Sequence, residues 1–307
     1  MSGLLDDLKS EFNKPNNTLV QLILINTVIF LTVILVLVVA KLSGQPTAYQ
    51  WVLDQLMMPW APLALLKKPW TILTYAFTHA DPFHILWNMV FLYWFGRLIE
   101  EYLGSRRLVG LYVLGALGGG LCYFVSYNFI PYFTAQVGGQ TLLGASGAAL
   151  SVAVGAATLL PNYTFHLLFI GPVRIKYIVL FFVVLSFFNS VGTNAGGNLA
   201  HLGGAFIGFS YIKLLQNGSD LGRPLYWLMD RWSGLFRAKP PVKVSQRQRT
   251  TPTTATAYAA ASGAAAPTTA IPDQDEVDAI LDKIGRSGYE SLTREEKQKL
   301  FRASQRR

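Results

Sequence analysis

Six long apolar runs dominate this chain, at about 18–40, 84–103, 108–130, 142–160, 174–191 and 199–216. Bilayer hydrocarbon is about 30 Å thick, so a helix needs roughly 20 apolar residues to cross it. Each run comes close to that length, and short polar breaks separate them. Only 14% of the residues are charged, well below the quarter or so usual in soluble domains. The pattern predicts an all-α polytopic membrane protein with a six-transmembrane-helix bundle over residues 18–216. The first run is too long for the apolar core of a signal peptide and its flank is not clearly basic, so it is read as a span. The single Cys122 rules out an internal disulfide.

Charge sets the orientation. Arg97, Arg106 and Arg107 crowd the junction of spans two and three. Arg174 and Lys176 open span five, and Lys213, Arg223, Arg231, Arg237 and Lys239 follow span six. If the spans alternate, these ends share one side. The loops 131–141 and 191–198 on the other side carry no Lys or Arg, and loop 43–83 adds only Lys67 and Lys68 away from the membrane edge. Positive charge marks the cytoplasmic side, so both termini, with the segment 1–17, are expected in the cytoplasm. The net charge of +9 follows from this bias. No basic patch is interleaved with aromatics, so nucleic acid is not an expected partner.

After the spans, residues 217–273 read as a basic, then Pro/Ala/Thr-rich linker that cannot bury enough apolar area to fold alone. Residues 274–307 read as a small two-helix module. Val277, Ile280, Leu281 and Ile284 recur at helical spacing, Gly288 can end that helix, and Thr293-x-x-Glu296 has the form of a capping box before Leu300 and Phe301. A unit this small lacks a strong core. It is expected to dock onto a cytoplasmic partner or onto a second copy, as a homo-oligomer.

Polar side chains inside a span are costly, which makes each one a candidate for function. His84 and Asn88 lie four apart near the outer end of span two and stack on one helix face. His201 lies about a turn inside span six. Ser146, in Gly144-Ala145-Ser146-Gly147, lies about a turn inside span four. Alternation brings all four to one depth on one side. Gly204-x-x-x-Gly208 offers span six a flat face, and span four is rich in glycine and alanine, so the two can pack backbone to backbone. A serine hydroxyl becomes a nucleophile when a base takes its proton, and a neutral imidazole is such a base near pH 7. The Ser146 backbone N–H with the Asn88 and His84 side chains are candidate donors to an oxyanion. No Asp or Glu lies in the outer half of a span, so the arrangement is a Ser–His dyad without an acidic third member. His79 is read as structural, tying loop 43–83 to the head of span two.

These residues resemble those of the rhomboid intramembrane serine proteases. Gly144-Ala145-Ser146-Gly147-Ala148 is similar to that family's span-four motif, His79-x4-His84-x3-Asn88-Met89 to its second-span motif, and Ala200-His201 before Gly204-x-x-x-Gly208 to its sixth. The resemblance covers roughly residues 18–216. It implies Ser146 as nucleophile, His201 as general base, and His84 and Asn88 as oxyanion donors, with Gly144, Gly147, Gly204 and Gly208 packing the helices around them. It also implies cleavage of single-span membrane proteins near their outer boundary, in a water-filled cavity open to the outside, with no cofactor and no metal. The expected setting is the bilayer of a bacterial inner membrane, with the site facing the periplasm. The fifth span and loop 191–198 would form the gate. The chain departs from the family at Thr71, where many bacterial members have Arg, and at Leu150, where an aromatic often stacks on the catalytic imidazole. The two-helix module resembles one found on rhomboids of Bacteroidetes-type bacteria. Three alternatives stand beside this reading: a non-catalytic rhomboid-like protein that binds or escorts membrane helices, a zinc site built from His79, His84 and His201, and a transporter. The first is disfavoured by the presence of both Ser146 and His201, the second by the lack of an H-E-x-x-H motif and of a carboxylate placed as base. The third is disfavoured by the lack of intramembrane carboxylates and of an obvious repeat.

Overall fold

The computed structural model describes residues 17–135, 141–168, 170–236, 274–287 and 291–300 apart from Arg294 and Gln298, together with residues 3, 6, 10, 12 and 14. It divides into two compact units, Met1–Pro240 and Pro241–Arg307. The described residues are mostly helical. The first unit runs α1 (Thr18–Leu42), α2 (Pro46–Leu56), α3 (Pro62–Lys67), α4 (Thr71–Thr74), α5 (Pro82–Leu103), α6 (Ser105–Phe129), α7 (Pro131–Thr134), α8 (Ser146–Leu159), an antiparallel hairpin of β1 (Thr164–Leu167) and β2 (Gly171–Arg174), α9 (Ile175–Phe188), α10 (Ala195–Gln216) and α11 (Arg223–Phe236). The hairpin, which carries His166, lies in the break between the fourth and fifth apolar runs.

Among the described residues, α1 and α6 are long and apolar enough to cross a membrane by length and composition alone. Two of the predicted spans are shorter helices. The run at 142–160 becomes helical only at Ser146, because Leu142 pairs with Met58 in an isolated β-bridge and Gly144 takes φ 117°. That backbone conformation favours glycine, since a Cβ is penalised there. Ser146 is therefore the first residue of its helix rather than one turn inside it. His201 lies deeper than expected for the opposite reason, since α10 already begins at Ala195.

Helix α10 is central and packs most extensively against α8 and α6. Its contact with α8 is backbone on backbone. A Cβ on Gly204 would fall 2.0 Å from the Gly147 carbonyl oxygen, and one on Gly208 would fall 2.2 Å from that of Ser151. Small residues permit this approach, and van der Waals contact between the backbones holds it. Several buried polar groups are paired across helices. Asn26 Nδ2 donates to the Tyr112 hydroxyl (3.1 Å), which donates to the Ala76 carbonyl (2.8 Å). The Glu100 carboxylate accepts from Thr18 N (2.8 Å), Leu19 N (3.2 Å) and Ser105 Oγ (2.8 Å), a negative charge at the positive end of α1.

The stretch 217–236, read from sequence as linker, is partly folded. Helix α11 follows Asp220, which accepts from Tyr211 Oη (3.1 Å), Gly222 N (2.8 Å) and Arg107 Nε (3.3 Å). Tyr226 then packs into the space left by Gly110, with its hydroxyl bonded to that of Tyr211. Glycines on one helix and a tyrosine on the next carry no periodic signal, so composition alone read this segment as linker. Residues 237–273 lie outside the described residues.

In the second unit, α12 (Gln274–Ser287) carries the buried Ile280. Thr293 N donates to Glu296 Oε2 (2.7 Å) and Glu296 N to Thr293 Oγ1 (3.3 Å), the reciprocal bonds of a capping box. The Thr293 N–H and the Lys283 ammonium hold the Glu296 carboxyl below its usual range. Lys283 pairs with Glu296 (2.9 Å) and Lys299 with Glu276 (3.1 Å). Phe301 and Gly288 lie outside the described residues.

Candidate active site

Four of the residues singled out from sequence meet at two chambers that share part of their lining. Both chambers are lined by Trp87, Asn88, Ser146 and His201. The larger, about 450 Å³, runs past His84, Thr141 and Asn194 and is the more polar. The smaller, about 250 Å³, runs between α5 and α9 past Phe91, Leu150, Phe182 and Ser186.

Ser146 and His201 owe their proximity to the glycine contact between α8 and α10. A Cβ on Gly147 would meet the Ala200 carbonyl oxygen at 3.0 Å, so the residues beside Ser146 and His201 already touch. Leu150, one turn after Ser146, is buried and lines the smaller chamber with His201. It offers the imidazole an apolar wall and no hydrogen bond. As the first residue of α8, Ser146 has a backbone N–H with no intrahelical acceptor, and no side chain caps that end of the helix.

His84 is placed by its own helix start. Asp81 caps α5 by accepting from His84 N (2.8 Å), with Pro82 at the first helical turn. The His84 ring fills the space beside Gly144, where a Cβ would lie 2.6 Å from His84 Cε1. Gly144 is thus required twice, by its φ and by its neighbour.

His79 has a larger part than the sequence reading assigned. Its ring is fully buried, edge-on to His84 with centroids 5.1 Å apart. His79 Nε2 accepts from Ala145 N (3.2 Å) and lies 3.1 Å from Asn88 Nδ2. One nitrogen therefore holds both the residue before Ser146 and the amide of Asn88. Accepting at Nε2 places the ring proton on Nδ1. Burial, and then the neighbouring His84, push the imidazole down to about 3, so His79 stays neutral. Tyr75 completes the support: its carbonyl accepts from Gly144 N (2.9 Å) and its hydroxyl donates to the Ala116 carbonyl (2.6 Å).

The sequence reading missed Ser186. It is a buried residue of α9, and its Oγ lies 2.9 Å from His201 Nδ1. The available signal was slight: one hydroxyl in the otherwise apolar segment Ile178–Phe188. Thr71 also turns out to be internal. It is fully buried, its Oγ1 donates to the Lys68 carbonyl (2.6 Å), and Trp70 Nε1 beside it donates to the Gln55 carbonyl (2.8 Å). No group of three His, Cys, Asp or Glu side chains among the described residues is placed to hold a metal ion.

Residues 66–217 match the Rhomboid domain, and residues 271–306 match a family of unknown function (DUF6576). The chain is 32% identical over 146 residues to RHOMBOID-like protein 12, mitochondrial, of Arabidopsis thaliana, covering 45% of this chain and 44% of that protein. It is 27% identical over 158 residues to Rhomboid protease GlpG of Haemophilus influenzae, covering 50% of this chain and 76% of that protein. To the protein of the same name in Salmonella newport it is 31% identical over 107 residues, 34% of this chain and 36% of that one. The chain thus spans less than half the length of the plant relative it matches. Helix α1 and most of the loop after it precede the matched domain.

Proposed function

We propose that this chain, a member of the rhomboid family through its domain at residues 66–217, is an intramembrane serine endopeptidase working through a Ser146–His201 dyad. The observation that carries this reading is the cavity that Ser146, His201 and Asn88 line together, between helices whose backbones touch. In the proposed reaction His201 Nε2 takes the proton of Ser146 Oγ as the oxygen bonds to the scissile carbonyl carbon, whose oxygen becomes an oxyanion. The unpaired N–H of Ser146 points its dipole at that charge from the positive end of α8. Asn88, held by His79, donates from its side chain, and His84 stands beside the same chamber. The imidazolium then protonates the leaving amine, and water hydrolyses the acyl-enzyme. The polar chamber past Thr141 and Asn194 is a route for that water.

In this reading α1, α5, α6, α8, α9 and α10 are six membrane crossings, with short α8 buried from Gly147 to Ala156. Both termini are cytoplasmic, the membrane is a bacterial inner membrane, and the cavity opens toward the periplasm. Substrates are single-span membrane proteins cut near their outer boundary. The domain organisation follows, with an N-terminal segment, the protease domain to residue 216, a linker and a C-terminal module that docks on a partner or a second copy.

The test uses purified wild type and Ser146→Ala in detergent, with a single-span substrate whose helix is weakened at its outer boundary. Wild type should cut, with no change on adding a chelator, and Ser146→Ala should lose more than about a thousandfold of the rate. Equal cutting by the variant would refute the dyad, and a chelator effect would then turn attention to the histidines as ligands. No cutting, together with no labelling of Ser146 by a fluorophosphonate, would favour a protein that escorts membrane helices.

A further inference from the structure

The cavity contains an imidazole whose second nitrogen must be held by something. No carboxylate lines either chamber, and Leu150, which lines the smaller chamber with His201, cannot form a hydrogen bond. The group that reaches His201 Nδ1 is Ser186 Oγ, at 2.9 Å. Ser186 is a buried polar residue in the last turn of an otherwise apolar stretch of α9, 5% exposed, where a polar side chain is costly unless paired.

We propose that Ser186 is the positioning residue of the dyad, accepting a hydrogen bond from His201 Nδ1–H and thereby presenting a bare Nε2 to Ser146. The inference rests on the serine-protease reading above. Its logic is that of tautomers. A neutral imidazole is donor at one nitrogen and acceptor at the other, and only the Nδ1–H form leaves Nε2 free to take the Ser146 proton. A hydroxyl oxygen that accepts at Nδ1 selects that form. As the imidazolium develops, Nδ1–H becomes a charged donor and the bond to Ser186 strengthens, so the contact favours the transition state over the resting enzyme. It also sets the ring plane, for which Leu150 provides only an apolar surface.

The arrangement has a structural consequence. Ser186 reaches His201 from α9, and of that helix only Ile175, Val179 and Ser186 itself are buried. The nucleophile and the base sit on α8 and α10, locked by glycine contacts. The group that orients the base sits on the helix with the least buried surface of the three. His201 is thus correctly held only while α9 is docked.

The variants Ser186→Ala and Ser186→Thr separate this role from a structural one. Ala is a good helix former and removes only the hydroxyl, while Thr keeps it. Ser186→Ala should lower kcat on the order of tenfold to a hundredfold, the size expected for one hydrogen bond to a group that becomes charged. KM and thermal stability should stay near wild type, and Ser186→Thr should recover most of kcat. NMR of isotope-labelled histidine in detergent, at about pH 8 where an ordinary imidazole is neutral, reads the tautomer of His201 without any turnover. Wild type should show Nδ1–H, and Ser186→Ala a shift toward the mixed or Nε2–H form. Wild-type kcat with an unchanged tautomer in Ser186→Ala would overturn the proposal. So would parallel loss of stability and kcat in both variants, which would mark a packing role. Failure of the protease reading is seen separately, as wild type that leaves every substrate whole while the NMR signal still reports the Ser186 bond.

Discussion

Where α10 meets α8, the contact is made by what is missing. Gly147, Gly204 and Gly208 let carbonyl oxygens sit where a Cβ would be. Where α9 lies along the other side of the cavity, the contact is made by large side chains, such as Phe182 edge-on to Phe91 with centroids 5.0 Å apart, and by one serine. The outer face of α9 is open, with Leu180, Phe181 and Phe187 all exposed. The difference teaches which groups of the site are fixed and which are conditional. A backbone-to-backbone seam has no rotamers to adjust, so Ser146 and His201 keep their spacing. The α9 side can be repacked, and the orientation of His201 depends on that side.

The strongest way to break the comparison is to put a methyl group into the seam. Gly204→Ala places its Cβ 2.0 Å from the Gly147 oxygen, with only backbone to yield. A loss of about 3 kcal/mol or more is expected, and activity should fall with it. Unfolding in mixed micelles and cleavage rate, measured on the same preparation, check this. A variant with wild-type stability would show that the helices can separate without cost, and that the seam is not what sets the spacing.

A second probe acts on the upper edge of the seam, where His79 holds Ala145 and Asn88. Folded His79 titrates near 3 and an unfolded histidine near its ordinary value of 6.5. Between these two values the unfolded chain binds the extra proton, so stability rises with pH there. The contribution of His79 is complete above about pH 6.5 and is lost as the pH falls toward 3. Stability measured against pH for wild type and His79→Gln should diverge at neutral pH and converge on acidification. A constant gap across that window would mean that His79 protonation is not linked to folding.

The smallest effect is expected on the outer face of α9. Leu180→Ala removes a side chain that is 57% exposed, and stability in detergent should change by less than about 0.5 kcal/mol. A large loss would show that this face is covered by something in the micelle, and the contrast between the two sides of the cavity would narrow.

Several of these features could be read from residue order. Asp81 directly before Pro82 has the order of a helix start, and Asp81 does cap α5 by accepting from His84 N. Thr293 and Glu296 three apart announced a capping box, and the bonds are there. Such local signals are readable because donor and acceptor are tied by a few peptide units. His79 was harder. It was read as a tie between loop 43–83 and the head of span two, but its partner Ala145 is 66 residues away. Nothing in either segment specifies that the two touch. The α11 segment was harder still, because Tyr226 finds its place only against a glycine on a different helix.

By itself, the sequence determined depth. A helix rises about 1.5 Å per residue, so counting residues from the ends of apolar runs was enough to bring Ser146, His84, Asn88 and His201 toward one level. It also determined which helices could approach closely, because a glycine every fourth residue is a property of the chain. Only the tertiary structure decided rotation about each helix axis. Residue counting says how deep Ser186 lies, but which way its hydroxyl points depends on how α9 rolls against α5 and α10. That roll is set by the packing of Phe91, Phe182 and their neighbours, non-directional contacts that no short motif encodes. The start of α8 at Ser146 was likewise decided in three dimensions, by the pairing of Leu142 with Met58 and by the His84 ring that occupies the space beside Gly144.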